Sequence, residues 1–559
     1  LRPLEDLCTS GCKFEQFADW KYASLVEAPD NSKCKPTLHQ NLFKIPLNDL
    51  EKPIVYFRPC SHNEIAGIVN RYLAPTPNSV TYDTQIVDRL IREICDLMKP
   101  HFSGPVSLRE FMLPKKGKLR ARYDKEVKNV FKSGFDLKKD AGIKAFIKSE
   151  IFNEEGKMPR NIMGRDPKFN LIYGLYTTAL EKALIHVPQV MKGKTLIERG
   201  EYFADNIYGE HYTEWDMSKF EASQRRNLLE HVELSVWLYL LDNDPDLKII
   251  YNLWKAKMIK KGYYPTGLKF FFMYCRGSGD QDTGLFNTIL NWIAARYFEV
   301  VNGLPEGKFI VDGDDGVAAR PKSRKNLVNT FKEFGFTAKL ELKEDYHDVD
   351  FCSSKFIMYR KDLKFIQMNN IVKTLNNLGF FKHKEFEHCI GDYYYSLGFM
   401  YKTLYPGFPI FSELSEFLMS ITNRSKSYVK TEILGRVNAG NLGNFYKCNE
   451  KPYLIDVDKS FVMSEYYCSF GLGPKNIEDI LTYLNTKKIH LPDTSDKLLR
   501  KQGSNKFVNS EFEYDICEQI LRTSSMKCSI DLNKIESKRA KLNFYTKWRF
   551  RSQVNHDRK

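Results

Sequence analysis

Apolar and polar positions change period along this chain, and the changes mark its elements. In "GEHYTEWDMSKFEASQRRNLLEHVELSVWLYLL" a short strand-like stretch ends near Asp216, and from about Ala222 apolar residues recur at helical spacing. This predicts a strand with Asp216 at its carboxyl end and a helix entered at Glu221. "YCRGSGDQDTGLFNTILNWIAARYF" reads as a strand, a Gly-rich loop over Gly277 to Gly279, and a helix that Asp280 or Asp282 is placed to cap. In "KFIVDGDDGVAARP", residues 308 to 321, an apolar run and "VAA" flank an acidic bend. That predicts a hairpin, with Gly313 and Gly316 taking turn dihedrals. Residues 1 to about 100 mix short patterned segments with Pro-bearing breaks, and from about 360 helix-like segments alternate with Gly and Pro. The longest apolar stretches, "LSVWLYLL" (234 to 241) and "LKFFFMYC" (268 to 275), fall far short of a membrane span. Neither a solenoid repeat nor a low-complexity tract is visible.

Composition adds a partner class. An apolar fraction of 42% and an aromatic fraction of 14% over 559 residues argue for a folded, multi-lobed body rather than disorder. Lys and Arg exceed Asp and Glu by 85 to 70, a net +15 that favours polyanions, whether nucleic acid or a membrane surface. The excess is concentrated between 115 and 170 and in 534 to 559, where nine Lys or Arg face two acidic residues. The 12 cysteines are dispersed, as in a reducing compartment. Cys8, Cys12 and Cys34 with His39 lack the compact pairing of a zinc site. No signal peptide opens the chain, and it begins "LRPLEDL" without Met, as a proteolytic product or a trimmed sequence would.

The acidic bend then asks for a chemistry. An EF-hand fails, because counting from Asp312 the Gly falls at position 5 and Ser323 at position 12. If the strand of Asp216 neighbours the hairpin, Asp216 and Asp314 converge. Paired carboxylates repel unless a cation lies between them. Two Mg²⁺ ions roughly 3.5 to 4 Å apart are the usual remedy in displacement at phosphorus. Thr283 and Asn287, four apart, share one helix face. They serve either a capped helix end or, with Glu221, a wall that reads a ribose 2'-hydroxyl.

Taken together, these segments resemble the RNA-dependent RNA polymerases of positive-strand RNA viruses, especially the nodavirus-like and tombusvirus-like groups. "DMSKFEAS" is similar to their motif A, "SGDQDTGLFNTILN" to motif B and "VDGDDGVA" to motif C. Upstream, "KSEIFNEEGKMPRNIMGRDPKFNLIYGLY" resembles the basic motif F. Downstream, "FKEFGFTAKLE" resembles motif D and "FCSSKF" motif E. The resemblance spans roughly 144 to 356. It implies that Asp216 and Asp314 hold two Mg²⁺ ions, with Mn²⁺ as a substitute, and that Asp315 is an auxiliary ligand. Ser278 and Gly279 would form the loop that senses nucleotide and template, and Thr283 and Asn287 would face the ribose. Lys148, Arg160 and Arg165 would line the nucleotide tunnel, and Lys339 is the nearest match to the general acid for pyrophosphate, with Lys343 close by. Motif A most often ends in Asp, where this chain has Glu221, one methylene longer.

The fold so implied is an α+β right hand in a closed arrangement, with fingers, a palm carrying a small antiparallel sheet, and a helical thumb. Its expected divisions are an N-terminal extension with a fingertip part (1–110), fingers with motif F (111–205), palm (206–360) with a finger insertion near 242–265, thumb (361–533) and a basic tail (534–559). Part of the first hundred residues is expected to reach the thumb. The activity implied is template-directed transfer of nucleotides to an RNA 3'-hydroxyl with release of pyrophosphate. Implied partners are template and nascent RNA, nucleoside triphosphates, and other viral replication proteins or membrane-bound precursor parts. The implied location is the host cytoplasm at membrane-associated replication complexes. Lys115 and Lys116 of "KKGKLR" are expected on RNA phosphates. A reverse transcriptase fits less well, because Asn287 with Glu221 favours ribose, and a non-catalytic RNA-binding protein has no need of Asp216, Asp314 and the glycine loop together.

Overall fold

The computed structural model describes residues 24–26, 55–56, 59–73, 80–115, 117–148, 151–152, 158–320, 330–379, 390–421, 439–450, 454–489 and 511–533. Cys8, Cys12, Cys34, His39, Lys116 and the basic tail lie outside them. The strands, in chain order, are β1 (Ser24–Val26), β2 (Val55–Tyr56), β3 (Ile143–Ile147), β4 (Ile151–Phe152), β5 (Asn161–Arg165), β6 (Tyr212–Ser218), β7 (Ile259–Tyr263), β8 (Lys269–Met273), β9 (Phe309–Asp312), β10 (Asp315–Ala319), β11 (Thr337–Lys343), β12 (Ser354–Arg360) and β13 (Lys364–Asn369). They form a five-stranded sheet in the order β1-β8-β7-β3-β5, a four-stranded sheet β11-β6-β10-β9, and the pairs β12-β13 and β2-β4.

The apolar run at β8 is buried on both of its faces. In "LKFFFM", Phe270 and Phe272 bury against Ile68, Tyr72 and Met163, while Phe271 and Met273 join the largest core. A strand covered on both faces loses its polar alternation. The sheet β11-β6-β10-β9 does alternate. Trp215, Met217, Phe309, Val311 and Ala318 point into the main core beside the helix Thr283–Asn302. Tyr212, Ile310 and Val317 point the other way, packed with Phe203, Phe351, Phe356 and Phe365. That second face is apolar at one end and acidic at the other.

Gly316 corrects one expectation. It lies within β10 rather than in a turn, and a Cβ there would sit 2.2 Å from the Trp215 ring. Close approach, not a turn dihedral, is what it provides; burying the indole it meets contributes about 4 kcal/mol of gross hydrophobic free energy.

Two helical groups complete the body. Helices Ile371–Leu378, Ile390–Leu404, Phe411–Ser420, Lys459–Phe470 and Pro474–Thr486 share a core with β12 and β13. The helix Glu511–Lys527, expected with them, packs instead in the main core through Tyr514, Cys517 and Leu521. Asn252 Nδ2 donates to Ser525 O at 2.9 Å, and Glu518 accepts from Leu108 N at 2.8 Å. Residues 59–73 pack on β3, β5 and β8, and the helix Thr84–Met98 packs on the helix Thr283–Asn302, rather than on the C-terminal helical group. Among the described residues no helix is long and apolar enough to cross a membrane.

Candidate functional site

Register brings the carboxylates together. β6 and β10 are antiparallel with Asp216 opposite Asp315, β9 places Asp312 opposite Asp315, and β11 places Lys339 opposite Asp216. Directly paired residues point to the same face, so Lys339, Asp216, Asp315 and Asp312 form one row across the sheet. Asp314 stands on the two-residue turn beside them, after Gly313 at φ +67°. Burial, then the facing Glu221 and Asp216 carboxylates, push Asp314 up to about 6. Burial, then Asp314 and Asp216, push Asp315 up to about 7. The group is short of positive charge.

The turn is held from behind by the helix Thr283–Asn302. Thr288 Oγ1 accepts from Gly313 N at 2.9 Å, and Asn291 Nδ2 donates to Asp315 O at 2.9 Å while its Oδ1 accepts from Trp215 Nε1 at 2.9 Å. These residues sit one turn beyond the pair expected to read ribose. Arg199 Nη2 binds Asp312 Oδ2 at 3.0 Å, which ties Asp312 away from the other three carboxylates.

Of the ribose-facing candidates, Asn287 is buried and its Oδ1 accepts from Gln224 Nε2 at 2.9 Å. Glu221 receives Arg71 Nη2 at 2.6 Å. The Thr283 hydroxyl faces the carbonyl oxygens of Gly277 and Asp280 at 2.6 and 2.8 Å, which closes the loop on itself. Gly279, at φ +103°, rests on β5, where a Cβ would meet Ile162 Cγ2 at 2.8 Å, and Ser278 O accepts from Met163 N at 2.6 Å. The glycine loop is thus docked on the basic strand.

Neither acid of that loop caps the helix. Asp282 occupies the cap position but makes no side-chain cap bond. Its Oδ2 instead meets Lys257, Arg276 at 3.0 Å and Tyr173 at 2.6 Å, while Lys257 and Arg276 also pair with Glu233. Asp280 binds Lys260 and Arg165. All these side chains are essentially inaccessible, and buried cations need anions more than a helix end needs a cap.

Arg165 belongs to this interior network. Its Nε binds Asp280 Oδ1, and Nη1 and Nη2 donate to Ala141 O and Lys257 O, each at 2.6 Å. With only 2% of its surface exposed, it does not line a tunnel. Lys148 and Arg160, both partly exposed, sit abreast one position beyond the β3–β5 pair, with Lys148 N donating to Arg160 O at 2.7 Å. Lys115, expected on phosphate, instead lies over the Phe111 ring at 3.3 Å, and burial lowers it to about 8.

Lys339 is exposed and pairs with Glu341, as does Lys343 at 2.6 Å. Register separates the two lysines: Lys339 faces Asp216, whereas Lys343 faces Tyr212 four positions on.

A stability prediction follows from the acidic group. A carboxyl raised by folding makes the folded state bind more protons than the unfolded one, so stability falls as pH rises. For Asp314 and Asp315 the fall runs from about the ordinary carboxylate range near 4 to about 7. In EDTA the protein is expected to lose about 2 kcal/mol across that window, and Asp315→Asn is expected to be the more stable at pH 8. Thermal melts at several pH values check this; equal midpoints at pH 8 would rule out the repulsion.

A mixed α/β body with several sheets, a carboxylate-tipped hairpin and a glycine loop on a basic strand is consistent with a viral RNA polymerase-like fold. Residues 52–444 match the family described as viral RNA dependent RNA polymerase, and the chain belongs to that family. It is similar to the RNA-directed RNA polymerase of Tobacco necrosis virus (strain A), at 26% identity over 423 residues, or 70% of this chain and 55% of that protein. It is also similar to that of Groundnut rosette virus (strain MC1), at 26% over 294 residues, 49% of this chain and 34% of the relative. For Carnation mottle virus the figures are 28% over 247 residues, 40% and 31%. The aligned part thus spans from about a third to about half of these relatives' lengths.

Proposed function

We propose that the chain is an RNA-directed RNA polymerase that copies viral RNA by adding nucleotides from triphosphates to an RNA 3'-hydroxyl. The observation that carries this is the register of Asp216 against Asp315, with Asp314 on the adjoining turn, inside a chain of the polymerase family. Asp216 and Asp314 would hold two Mg²⁺ ions (Mn²⁺ as a substitute), and Asp315 would assist. The donor set fits: it is all oxygen, in excess negative charge, and open toward solvent at Asp216. Among the described residues no three or more His, Cys, Asp or Glu form a preformed cage. Bound there, the ions would supply the positive charge that activates the hydroxyl and neutralises the leaving pyrophosphate.

The chain's other residues would orient the substrate. Lys148 and Arg160 would meet the triphosphate, Arg160 through a planar fork. Asn287, held by Gln224, and Glu221, held by Arg71, would face the sugar, next to the Ser278–Gly279 loop. Lys339, in the row of Asp216, would donate a proton to pyrophosphate. Arg165 would act only by bracing the loop. In the right-hand reading, the four-stranded sheet is the palm. The joining of 143–165 and 259–273 in one sheet supports a finger insertion near 242–265. The helices after β13 would be the thumb. RNA would be drawn in through its phosphates by the +15 charge. Location at membrane-bound replication complexes, and partners among other replication proteins, rest on family likeness alone.

The test is extension of a short RNA template with and without primer, in Mg²⁺, comparing ribo- and deoxynucleotides. No template-dependent product under any condition would refute the proposal. Within it, Asn287→Ala is expected to narrow the ATP over dATP preference by about 1 to 3 kcal/mol, the cost of one unmade hydrogen bond. An unchanged ratio of kcat/KM values would remove Asn287 from sugar recognition.

A further inference from the structure

We propose that Arg71, on the helix Ser61–Tyr72, is a positioning residue for sugar selection that acts by setting the carboxylate of Glu221. This rests on the polymerase reading above and assigns a role to a helix that carries no recognisable motif. Arg71 Nη2 lies 2.6 Å from Glu221 Oε1, across 150 residues of sequence, with side-chain exposures of 17% and 7%. A glutamate has one more rotatable bond than an aspartate, and a charge-assisted bond at one oxygen removes that freedom. The departure from the usual Asp of motif A acquires a reason: the extra methylene lets residue 221 meet the guanidinium.

The neighbouring residue extends the same device. Tyr72 OH donates to Asn161 O and accepts from Ser278 N, both at 3.2 Å, and its ring stacks on Phe272 at 5.5 Å. Asn161 Nδ2 in turn donates to Glu64 O at 3.2 Å, about two helical turns before Arg71 on the same helix. One rigid helix end therefore fixes three segments at once: the motif A carboxylate, the glycine loop and the first residue of β5. Arg71 Nε is buried without a hydrogen-bond partner among the described residues. A ligand oxygen would satisfy it, so direct contact with the triphosphate is the rival role that the experiment must separate.

Single-nucleotide addition by purified wild type, Arg71→Lys, Arg71→Gln, Glu221→Asp and the double variant Arg71→Gln/Glu221→Gln decides the matter, with kcat and KM measured for ATP and dATP. Arg71→Gln is expected to reduce the ATP:dATP ratio of kcat/KM about tenfold or more, mainly through ATP. Arg71→Lys should recover part of the ratio, since the charge remains while the fork is lost. The double variant should lose no more of the ratio than a Glu221→Gln single variant measured beside it, because a residue that acts only through Glu221 then has nothing left to position, and Glu221→Asp should resemble the loss of Arg71. An unchanged ratio with a lowered melting temperature would make Arg71 merely structural and overturn the proposal. Equal rises in KM for both nucleotides would place it on the triphosphate and overturn it too. Wild-type protein that extended no RNA would instead refute the polymerase reading, and this inference with it.

Discussion

Asp314→Asn is expected to reduce nucleotide addition by about a thousandfold or more while the protein stays folded and keeps most of its RNA affinity. An amide has nearly the size of the carboxylate but loses the anionic ligand, and metal-assisted charge stabilisation is worth several kcal/mol of barrier, each 1.36 kcal/mol being tenfold. The fold should not suffer. Asp314 lies on a turn whose backbone is held by Thr288 and Asn291, and its carboxyl is already pushed up to about 6 by burial and by Glu221 and Asp216. Removing one of several repelling charges relieves the metal-free protein. Asp216→Asn should behave alike, and Asp315→Asn more mildly. Single-nucleotide addition beside filter binding checks all three; elongation within tenfold of wild type in Asp314→Asn would show the metal assignment to be wrong.

Breaking the interior charge network is expected to have the largest effect on stability. Asp282→Asn leaves Lys257 and Arg276 with one buried anion, Glu233, where they had two. Removing one partner of a fully desolvated group costs about 3 to 5 kcal/mol, because the remaining charge cannot recover its hydration. The same reasoning covers Arg165→Ala, which strands Asp280 beside Lys260 alone. Arg165→Ala should therefore lower the unfolding midpoint, whereas Arg160→Ala should raise the KM for nucleoside triphosphate. Urea and thermal unfolding of Asp282→Asn decide the first point, and a loss below about 1 kcal/mol would mean that the network rearranges at little cost. Burial outweighs Asp280 at Lys260 and lowers it to about 8, a sign of how little positive charge this interior tolerates.

The network also explains why the glycine loop holds its place. Asp280 and Asp282 directly follow the loop and are gripped from β5, from β7 and from the helix Asp246–Met258. Such ionic groups are expensive, and their return is a single arrangement of the backbone they hold. Local pattern makes one or the other of these acids a helix cap, since Asp before a helical run is the ordinary cap signal. Nothing within ten residues of them reveals Lys257, Lys260 or Arg165.

The strand–turn–strand around Asp314, the strand ending near Asp216, the glycine loop and the long helix after it were legible in the chain alone. Each is written in neighbouring residues, through period, punctuation and turn chemistry. The likeness to viral RNA polymerases rests on those segments together with the stretches that resemble motifs F, D and E. Tertiary structure decided which charged residues face the site and which are spent inside. Arg165 and Arg160 stand five apart in one basic run, yet one is enclosed and the other is partly exposed just before the strand. Lys339 and Lys343 look equivalent until register sets one against Asp216 and the other against Tyr212. Arg71 meets Glu221 from 150 residues away. Ion pairs between distant segments leave no period in the sequence, because a charge is matched only after packing has removed the water that would otherwise solvate it.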